Sequence, residues 1–267
     1  MSLTEIEKYY NKFNEDKRLL SRHGIVEFTT TVNYIDKLLK SIQNSNNLTP
    51  TEIKIADIGA GTGRYTEYFF NQGYTVTAVE LVKQNLVRLK EKCKDVVSFK
   101  GDARNLKKLA SNSFDVTLML GPMYHLFGED KYTALQEAKR ITKPNGYIVV
   151  AYILNDYAVI SYAFKENNLK KVLDAKKLDE NFITHTDKAD LYSYDTLENI
   201  DTYYQKCNLL RYKIFSPDGP TDYMRQSINK MNEFTFNYYL KYVESIAERK
   251  DMIGASSHIV DILIKNE

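Results

Sequence analysis

The residue types that could do chemistry are concentrated between positions 57 and 102. The segment DIGAGTG, Asp57 to Gly63, places three glycines at alternate positions, and single carboxylates follow at Glu80 and Asp102. Glycine lacks a Cβ atom, so its backbone can turn sharply and approach a ligand closely. Carboxylate oxygens accept hydrogen bonds from hydroxyl and amino groups. Glu80 is therefore placed to hold both hydroxyls of a ribose, and Asp102 to accept from the exocyclic amino group of an adenine.

The glycine spacing bears on which ligand the loop fits. The dinucleotide fingerprint GxGxxG has its third glycine where this chain has Arg64, and the spacing here is GxGxG. A bulky cation at that position would obstruct the close packing of helix on strand in a dinucleotide fold. Glu80 would suit a dinucleotide or a nucleoside, because both contain a ribose, whereas Asp102 favours an adenine nucleoside. A nicotinamide-dependent oxidoreductase is thus the weaker alternative.

Alternating apolar and amphipathic segments must position these residues. From Ile53 onward, short apolar runs alternate with helical segments of about 10 residues, which predicts a parallel, doubly wound α/β sheet. The predicted strands are IKIADI, YTVTAVE, VVSFKGD, FDVTLML, GYIVVAYI, LLRYKIF and SHIVDILIK. Ligands of such sheets bind at the carboxyl ends of the strands. The glycine loop, Glu80 and Asp102 all lie at such ends, so we expect them to meet.

Helical segments flank the predicted sheet. Residues 4–44 read as two helices separated at Arg22 to Gly24, and a polar linker follows them. We therefore place an N-terminal helical cap at 1–46 and the main domain at 47–267. Within the main domain, helical lid elements are expected at about 155–195 and 222–250, the second as one long helix inserted before the last strand.

Composition excludes several classes of protein. The 267 residues are 43% hydrophobic, which fits one globular domain with a cap. The net charge of +2 gives no indication of a basic surface for nucleic acid. Cys93 and Cys207 form no CxxC pair, so neither a zinc site nor a disulfide framework is expected, and no metal is predicted. No run approaches the ~20 apolar residues of a membrane span, and the charged N-terminus is unlike a signal peptide. We expect a cytoplasmic protein with no membrane partner.

From Ile53 to Ile153 the sequence resembles the class I S-adenosylmethionine-dependent methyltransferases. The likeness rests on five segments in order: DIGAGTG, the VE that ends strand two, GDA after strand three, FDVTLMLGPMYHL at strand four and KPNGYIVVAY at strand five. It implies a seven-stranded, mostly parallel Rossmann-like sheet with S-adenosylmethionine as cofactor. The flanks YYNKFNEDKRLLSRHGIVEFTTT and GASSHIVDILIK resemble one branch of this superfamily, small bacterial methyltransferases whose substrate is unassigned.

The resemblance also implies roles around the cofactor. The glycine loop would lie under the methionine part, Asp57 would help to hold its amino end, Glu80 would hold the ribose and Asp102 would contact the adenine. Backbone at the tip of strand four would face the sulfonium. The implied cofactor-binding residues are Asp57, Gly59, Ala60, Gly61, Gly63, Glu80, Leu81, Asp102, Ala103, Leu120 and Gly121.

The fourth strand leads to the predicted catalytic residues. Methyl transfer from a sulfonium mainly requires the acceptor to be positioned, so no catalytic triad is needed. Tyr124 and His125 follow a Gly-Pro turn beside the expected methyl group. His125 could act as a general base and Tyr124 could orient the acceptor, or His125 could simply cap or pack against the next helix. Predicted substrate-binding residues are Tyr9, Tyr10, Arg18 and Arg64.

The segment after strand four also bears on the acceptor. Methyltransferases that act on the amino groups of bases carry Asn or Asp followed by Pro-Pro and an aromatic residue, whereas this chain has LGPM. A nucleophilic cysteine for pyrimidine chemistry is also missing nearby. We therefore predict a small-molecule acceptor and argue against nucleic acid. An RNA methyltransferase and a non-catalytic cofactor-binding protein remain the alternatives, and the oligomeric state is undetermined.

Overall fold

The structure is a computed structural model that describes residues 21–266. Its strands are β1 (Lys54–Ile58), β2 (Thr75–Glu80), β3 (Val97–Lys100), β4 (Phe114–Met119), β5 (Thr142–Ile153), β6 (Leu209–Phe215) and β7 (His258–Lys265). Its α-helices are α1 (Arg22–Asn46), α2 (Arg64–Asn71), α3 (Lys83–Lys92), α4 (Glu129–Ile141), α5 (Asn155–Ala158), α6 (Leu169–Asp174), α7 (Leu197–Lys206), α8 (Arg225–Lys230) and α9 (Glu233–Ile246).

The seven strands form one sheet in the order β3-β2-β1-β4-β5-β7-β6. Strands β1 to β5 pair in parallel, and β7 runs antiparallel to both β5 and β6. This confirms the predicted doubly wound, mostly parallel α/β sheet of the Rossmann-like methyltransferase type. In the part of the chain that the structure describes, no helix has the length and apolar character needed to cross a membrane.

The centre of the sheet explains where a ligand can bind. Strand β1 lies between β2 and β4, and its residues Ile55, Ala56 and Ile58 are buried. The chain leaves β1 toward β2 on one side, and later returns to place β4 on the other side. Such a reversal of direction leaves a crevice at the carboxyl ends of the two central strands.

Helix α1 contributes to the core as well as to the crevice. It begins after Ser21, whose hydroxyl accepts a hydrogen bond from the N–H of Gly24. Its second half buries Ile35 and Leu39 completely against the sheet, and Tyr34 in this helix stacks on Phe215 of β6 at 3.9 Å. The expected boundary at residue 46 is thus not visible as a break in packing.

Three predicted elements differ in their extent. Strand β5 begins at Thr142, ahead of the predicted run GYIVVAYI, and Asn145 within it has a positive φ of 59°. The long helix expected over 222–250 is two helices, because Asn232 caps α9 by accepting from the N–H of Thr235 at 2.8 Å. Helix α6 covers only Leu169–Asp174 of the helical element expected at about 155–195.

Candidate active site

A cavity of about 290 Å³ opens where β1, β2 and β4 end. Several separate parts of the chain form its wall: the glycine loop, the ends of β2 and β3, the turn after β4, the first turns of α1 and the loop with Lys188 and Asp190. The predicted residues that line it are Asp57, Gly59, Ala60, Gly61, Arg64, Glu80, Leu81, Asp102, Ala103, Leu120, Gly121, Tyr124 and His125. Gly63 is absent from the wall. The predicted Tyr9, Tyr10 and Arg18 lie outside the described residues.

The three glycines of the loop meet different surroundings. All have positive φ, 74°, 58° and 88° in sequence order. A Cβ atom on Gly59 would stand 2.6 Å from Cγ of Pro122, and one on Gly63 would stand 2.8 Å from Cγ of Leu89. A Cβ atom on Gly61 would meet no atom within 4 Å. Gly59 and Gly63 therefore allow close packing of the protein, whereas Gly61 leaves open space on the cavity side.

Asp57 lies buried near the end of β1. Its carboxylate accepts a hydrogen bond from the hydroxyl of Thr66 at 2.6 Å. Burial raises the pKa of Asp57 from 3.8 to about 6, although the bond from Thr66 opposes this rise, and the nearby charge of Glu80 adds to it. The ionised form of Asp57 would be stabilised by a cation placed beside it in the cavity.

Glu80 ends β2 with its carboxylate facing the cavity. It is buried, and its two oxygens accept from the N–H groups of Gly61 at 2.8 Å and Val82 at 2.7 Å. Burial raises the pKa of Glu80, and hydrogen bonds from the backbone of Val82 and Gly61, the side chain of Asn85 and the backbone of Leu81 counteract the rise. Carboxylate oxygens are the acceptors that ribose hydroxyls need.

Asp102 is held by a residue that the sequence analysis did not select. Arg104 donates to both carboxylate oxygens, with Nη2 at 2.6 Å, and its Nη1 also pairs with Asp130 at 2.9 Å. Although burial alone would raise the pKa of Asp102, the hydrogen bonds and charge of Arg104 bring that pKa below its ordinary value. An adenine amino group at Asp102 would share the carboxylate with Arg104.

Tyr124 and His125 lie in the turn that follows β4. The Tyr124 hydroxyl donates to the carbonyl of Leu120 at 2.7 Å, which ties the turn to the end of the strand. Nδ1 of His125 lies 2.8 Å from the carbonyl of Leu191, and the ring stacks on Tyr192 at 5.2 Å. A carbonyl can only accept, so Nδ1 carries the proton, and Nε2 of the neutral ring has the lone pair that a base needs.

Arg64 connects the glycine loop to helix α1. It donates to the carbonyl of Gly24 at 3.3 Å, and its guanidinium lies over the ring of Phe28 at 3.9 Å. Both partners belong to the start of α1. Substrate binding by Arg64 stays a prediction, and these contacts give the side chain a role in closing the wall.

Several wall residues were missed by the sequence analysis: Phe28, Arg104, Lys188 and Asp190. Arg104 had a local signal, because a cation two residues after an aspartate can pair with it. Lys188 had none, since it reaches Asp130 at 3.1 Å from a distant loop. Contacts of that kind depend on the tertiary fold.

The wall fits S-adenosylmethionine. Glu80 offers acceptors for two ribose hydroxyls, and Leu126 and Phe127 provide an apolar surface for the adenine ring. The open space over Gly61 leaves room for the methionine chain. The carboxylate of Asp57 offers a partner for the ammonium group at the end of that chain.

Comparison with known proteins agrees with this fit. Residues 56–150 match the family of methyltransferase domains. A demethylmenaquinone methyltransferase of Paenarthrobacter aurescens (strain TC1) is 35% identical over 98 residues, which make up 37% of this chain and 38% of that protein. The demethylmenaquinone methyltransferase of Renibacterium salmoninarum is 37% identical over 99 residues, 37% of this chain and 40% of that protein. The chain thus spans about two fifths of the length of these relatives.

A solved structure extends the likeness to the full chain. It is a S-adenosylmethionine-dependent methyltransferase from Thermotoga maritima, described as a possible histamine N-methyltransferase, with a TM-score of 0.58 and 21% identity. The superposition covers 98% of each chain, and at this identity it shows a shared fold. Residues 56–150 thus match the methyltransferase domain, and the superposition shows that the chain shares the fold of an S-adenosylmethionine-dependent methyltransferase.

Proposed function

We propose that this protein transfers a methyl group from S-adenosylmethionine to a small molecule. The observation that carries the proposal is that two sets of residues line one cavity. Glu80 and Gly61 form a nucleoside-binding side, and Tyr124 and His125 stand on the wall at the tip of β4. A bound nucleoside could therefore present its reactive end to an acceptor held beside the second pair.

The roles proposed for the residues follow from their contacts. When bound, the cofactor supplies a methyl group on a cationic sulfur, which is a good leaving group. Glu80 would hold the ribose, and Asp57 would hold the ammonium group. Nε2 of His125 could accept a proton from an acceptor that carries one, because the bond to Leu191 orients the ring.

Two observations favour a small acceptor over RNA. The first turn of α1 and the loop residues Lys188 and Asp190 form part of the wall, which restricts access by a folded nucleic acid. The chain carries a net charge of only +2, whereas RNA-binding surfaces are strongly basic. Demethylmenaquinone, named for the relatives, is one candidate acceptor. The aligned part covers only 37% of the chain, so this name does not carry over on identity alone.

Calorimetric titration with S-adenosylhomocysteine tests the cofactor site. We expect binding by the wild type and an affinity about 1–3 kcal/mol weaker in Glu80→Ala, because the ribose hydroxyls lose charged acceptors. Glu91→Gln, an exposed change on α3, is the matched control and should leave the affinity unchanged. Binding of NAD in place of S-adenosylhomocysteine would overturn the proposal.

Transfer of a labelled methyl group tests catalysis. With an acceptor that must lose a proton, His125→Ala should lower turnover by about 100-fold or more without weakening the affinity for S-adenosylhomocysteine. A wild-type protein that binds S-adenosylhomocysteine tightly but methylates no metabolite would favour the non-catalytic alternative. Methylation of bulk RNA alone would favour the nucleic-acid alternative.

A further inference from the structure

The carboxylates of the cavity wall differ in what already binds them. Most accept hydrogen bonds or ion pairs from the protein: Asp57 from Thr66, Glu80 from backbone N–H groups, Asp102 and Asp130 from Arg104, and Asp190 from Lys177. Glu27, in the first turns of α1, is the exception. Among residues 21–266, no hydrogen bond or ion pair reaches its carboxylate, although it lines the cavity.

The ionisable group His258 is hydrogen-bonded away from Glu27. Burial lowers the pKa of His258, but the charges of Glu27 and then Asp218 outweigh burial and raise that pKa to about 9. The ring of His258 pairs with Asp218, whose oxygen lies 2.7 Å from Nδ1. This pairing leaves the oxygens of Glu27 available to a ligand.

Aromatic rings line the same cavity as Glu27. Phe28, Tyr65 and Tyr124 all line it, and burial together with the charge of Glu27 raises the pKa of Tyr65. The ring of Phe28 already attracts one cation, the guanidinium of Arg64 at 3.9 Å. Aromatic faces beside a carboxylate are a set that attracts organic cations.

These observations deepen the proposed function and rest on it. We propose that the methyl acceptor is an organic amine that binds as an ammonium ion to Glu27. Nε2 of His125, the base of the proposed function, would then take up the proton that must leave before the nitrogen can be methylated.

A primary amine bound as an ammonium ion must lose one proton before it can be methylated. The ammonium has no lone pair, so it first gives one proton to Nε2 of His125, which yields a neutral amine and an imidazolium. The nitrogen lone pair then forms the bond to the methyl carbon, while the carbon–sulfur bond breaks and its electron pair stays on sulfur. The product is a methylated ammonium, and His125 returns its proton to water at the mouth of the cavity.

Paired probes that differ only in charge test the proposal. Benzylamine and benzyl alcohol, then diaminobutane and butanediol, and finally hydroquinone are titrated calorimetrically into protein saturated with S-adenosylhomocysteine. We expect at least one amine to bind about tenfold or more tightly than its alcohol, because it gains a charge-assisted hydrogen bond. Glu27→Gln should abolish that difference, and Glu91→Gln should preserve it.

The same titrations define what would overturn the inference. It fails if no amine binds more tightly than its alcohol, if hydroquinone binds as tightly as the amines, or if the preference survives in Glu27→Gln. It also fails if Glu27→Gln weakens S-adenosylhomocysteine itself, because Glu27 would then belong to the cofactor site. None of these outcomes argues against methyl transfer itself. A wild-type protein that does not bind S-adenosylhomocysteine would instead count against the proposed function, and the inference would fall with it.

Discussion

At the scale of single residues, the availability of a carboxylate to a ligand depends on the groups that already bind it. Glu80 and Asp102 are both carboxylates at strand ends, yet Glu80 accepts from neutral backbone groups and Asp102 is paired with Arg104. Hydrogen bonds from neutral groups leave the negative charge of Glu80 uncompensated, whereas Arg104 compensates that of Asp102. Glu80 is therefore the stronger candidate of the two for a ligand contact.

The burial of Asp57 predicts a pH dependence of cofactor affinity. With a pKa of about 6 in the unbound protein, Asp57 takes up a proton as the pH falls below that value and loses its charge. The affinity for S-adenosylhomocysteine should fall by about tenfold between pH 7 and pH 5, since a neutral acid holds an ammonium weakly. Calorimetry across this range measures the effect, and Asp57→Asn should bind weakly at every pH with a flat profile.

The free energy of unfolding and the affinity for S-adenosylhomocysteine respond to the protonation of Asp57 in opposite directions. The two effects of this group can therefore be measured separately. The folded-state pKa of Asp57 is raised above 3.8, so the folded protein holds this proton more tightly than the unfolded chain. The contribution of Asp57 to the free energy of unfolding therefore increases as the pH falls through 6. An affinity that stays constant from pH 7 to pH 5 in the wild type would contradict a contact between Asp57 and the ligand.

At the scale of elements, the glycine loop combines packing and binding. Gly59→Ala and Gly63→Ala should lower the free energy of unfolding, because their Cβ atoms would clash with Pro122 and Leu89. Gly61→Ala should add only the cost of a positive φ, about 1–2 kcal/mol, but should weaken S-adenosylhomocysteine binding. Urea denaturation and calorimetry together separate the two outcomes.

The comparison among the three variants contains its own control. All three positions have positive φ, so backbone strain is common to the set and the difference reports on the surroundings of each Cβ atom. If Gly61→Ala destabilised the protein most and left binding intact, the open space at Gly61 would not be a ligand site.

Helix α1 links the core to the active site. Its second half buries Ile35 and Leu39 against the sheet, and its first turns bring Glu27 and Phe28 to the cavity. A helix is rigid over this length, so anchoring one end positions the other. Removal of residues 22–44 would strip this apolar cover from the sheet.

At the scale of the whole molecule, a buried ion pair joins three regions. Lys131 of α4 and Asp195, next to α7, are each almost fully buried and lie 2.5 Å apart. Asp195 also accepts from the hydroxyl of Tyr203 of α7 at 2.7 Å, and its N–H donates to Ile153 at the end of β5. Asp195 thus joins the segment before α7 to α4 and to the end of β5.

Breaking this pair should destabilise the protein strongly. Asp195→Ala leaves the Lys131 ammonium buried without its anionic partner, which should lower the free energy of unfolding by about 3–5 kcal/mol. The double change Lys131→Met with Asp195→Leu should restore most of the loss, because it removes both charges. Urea denaturation measures both variants.

An exposed pair provides the control for this prediction. Arg249→Ala removes one partner of the exposed pair with Asp251 and should leave the urea midpoint unchanged. A double variant as unstable as Asp195→Ala would show that packing, and not the uncompensated charge, sets the cost.

Local patterns predicted the sheet and much of the cavity wall. The apolar runs at β1, β2 and β4 and the glycine loop between β1 and α2 concern residues close together in sequence. Strand ends in a parallel sheet must meet at one edge, so Glu80 and the turn at Tyr124 could be brought together without coordinates. The break at Asn232 was missed, because the apolar spacing of α8 and α9 continues across a capping residue.

By itself the sequence determined the fold class and the order of glycines and acids at the ends of the strands. Only the tertiary structure decided which acids are already paired. Arg104 holds Asp102, and Lys188 reaches Asp130 from a distant loop. The physical reason is that the charge available to a ligand depends on neighbours in space, and packing brings together residues that no local pattern relates.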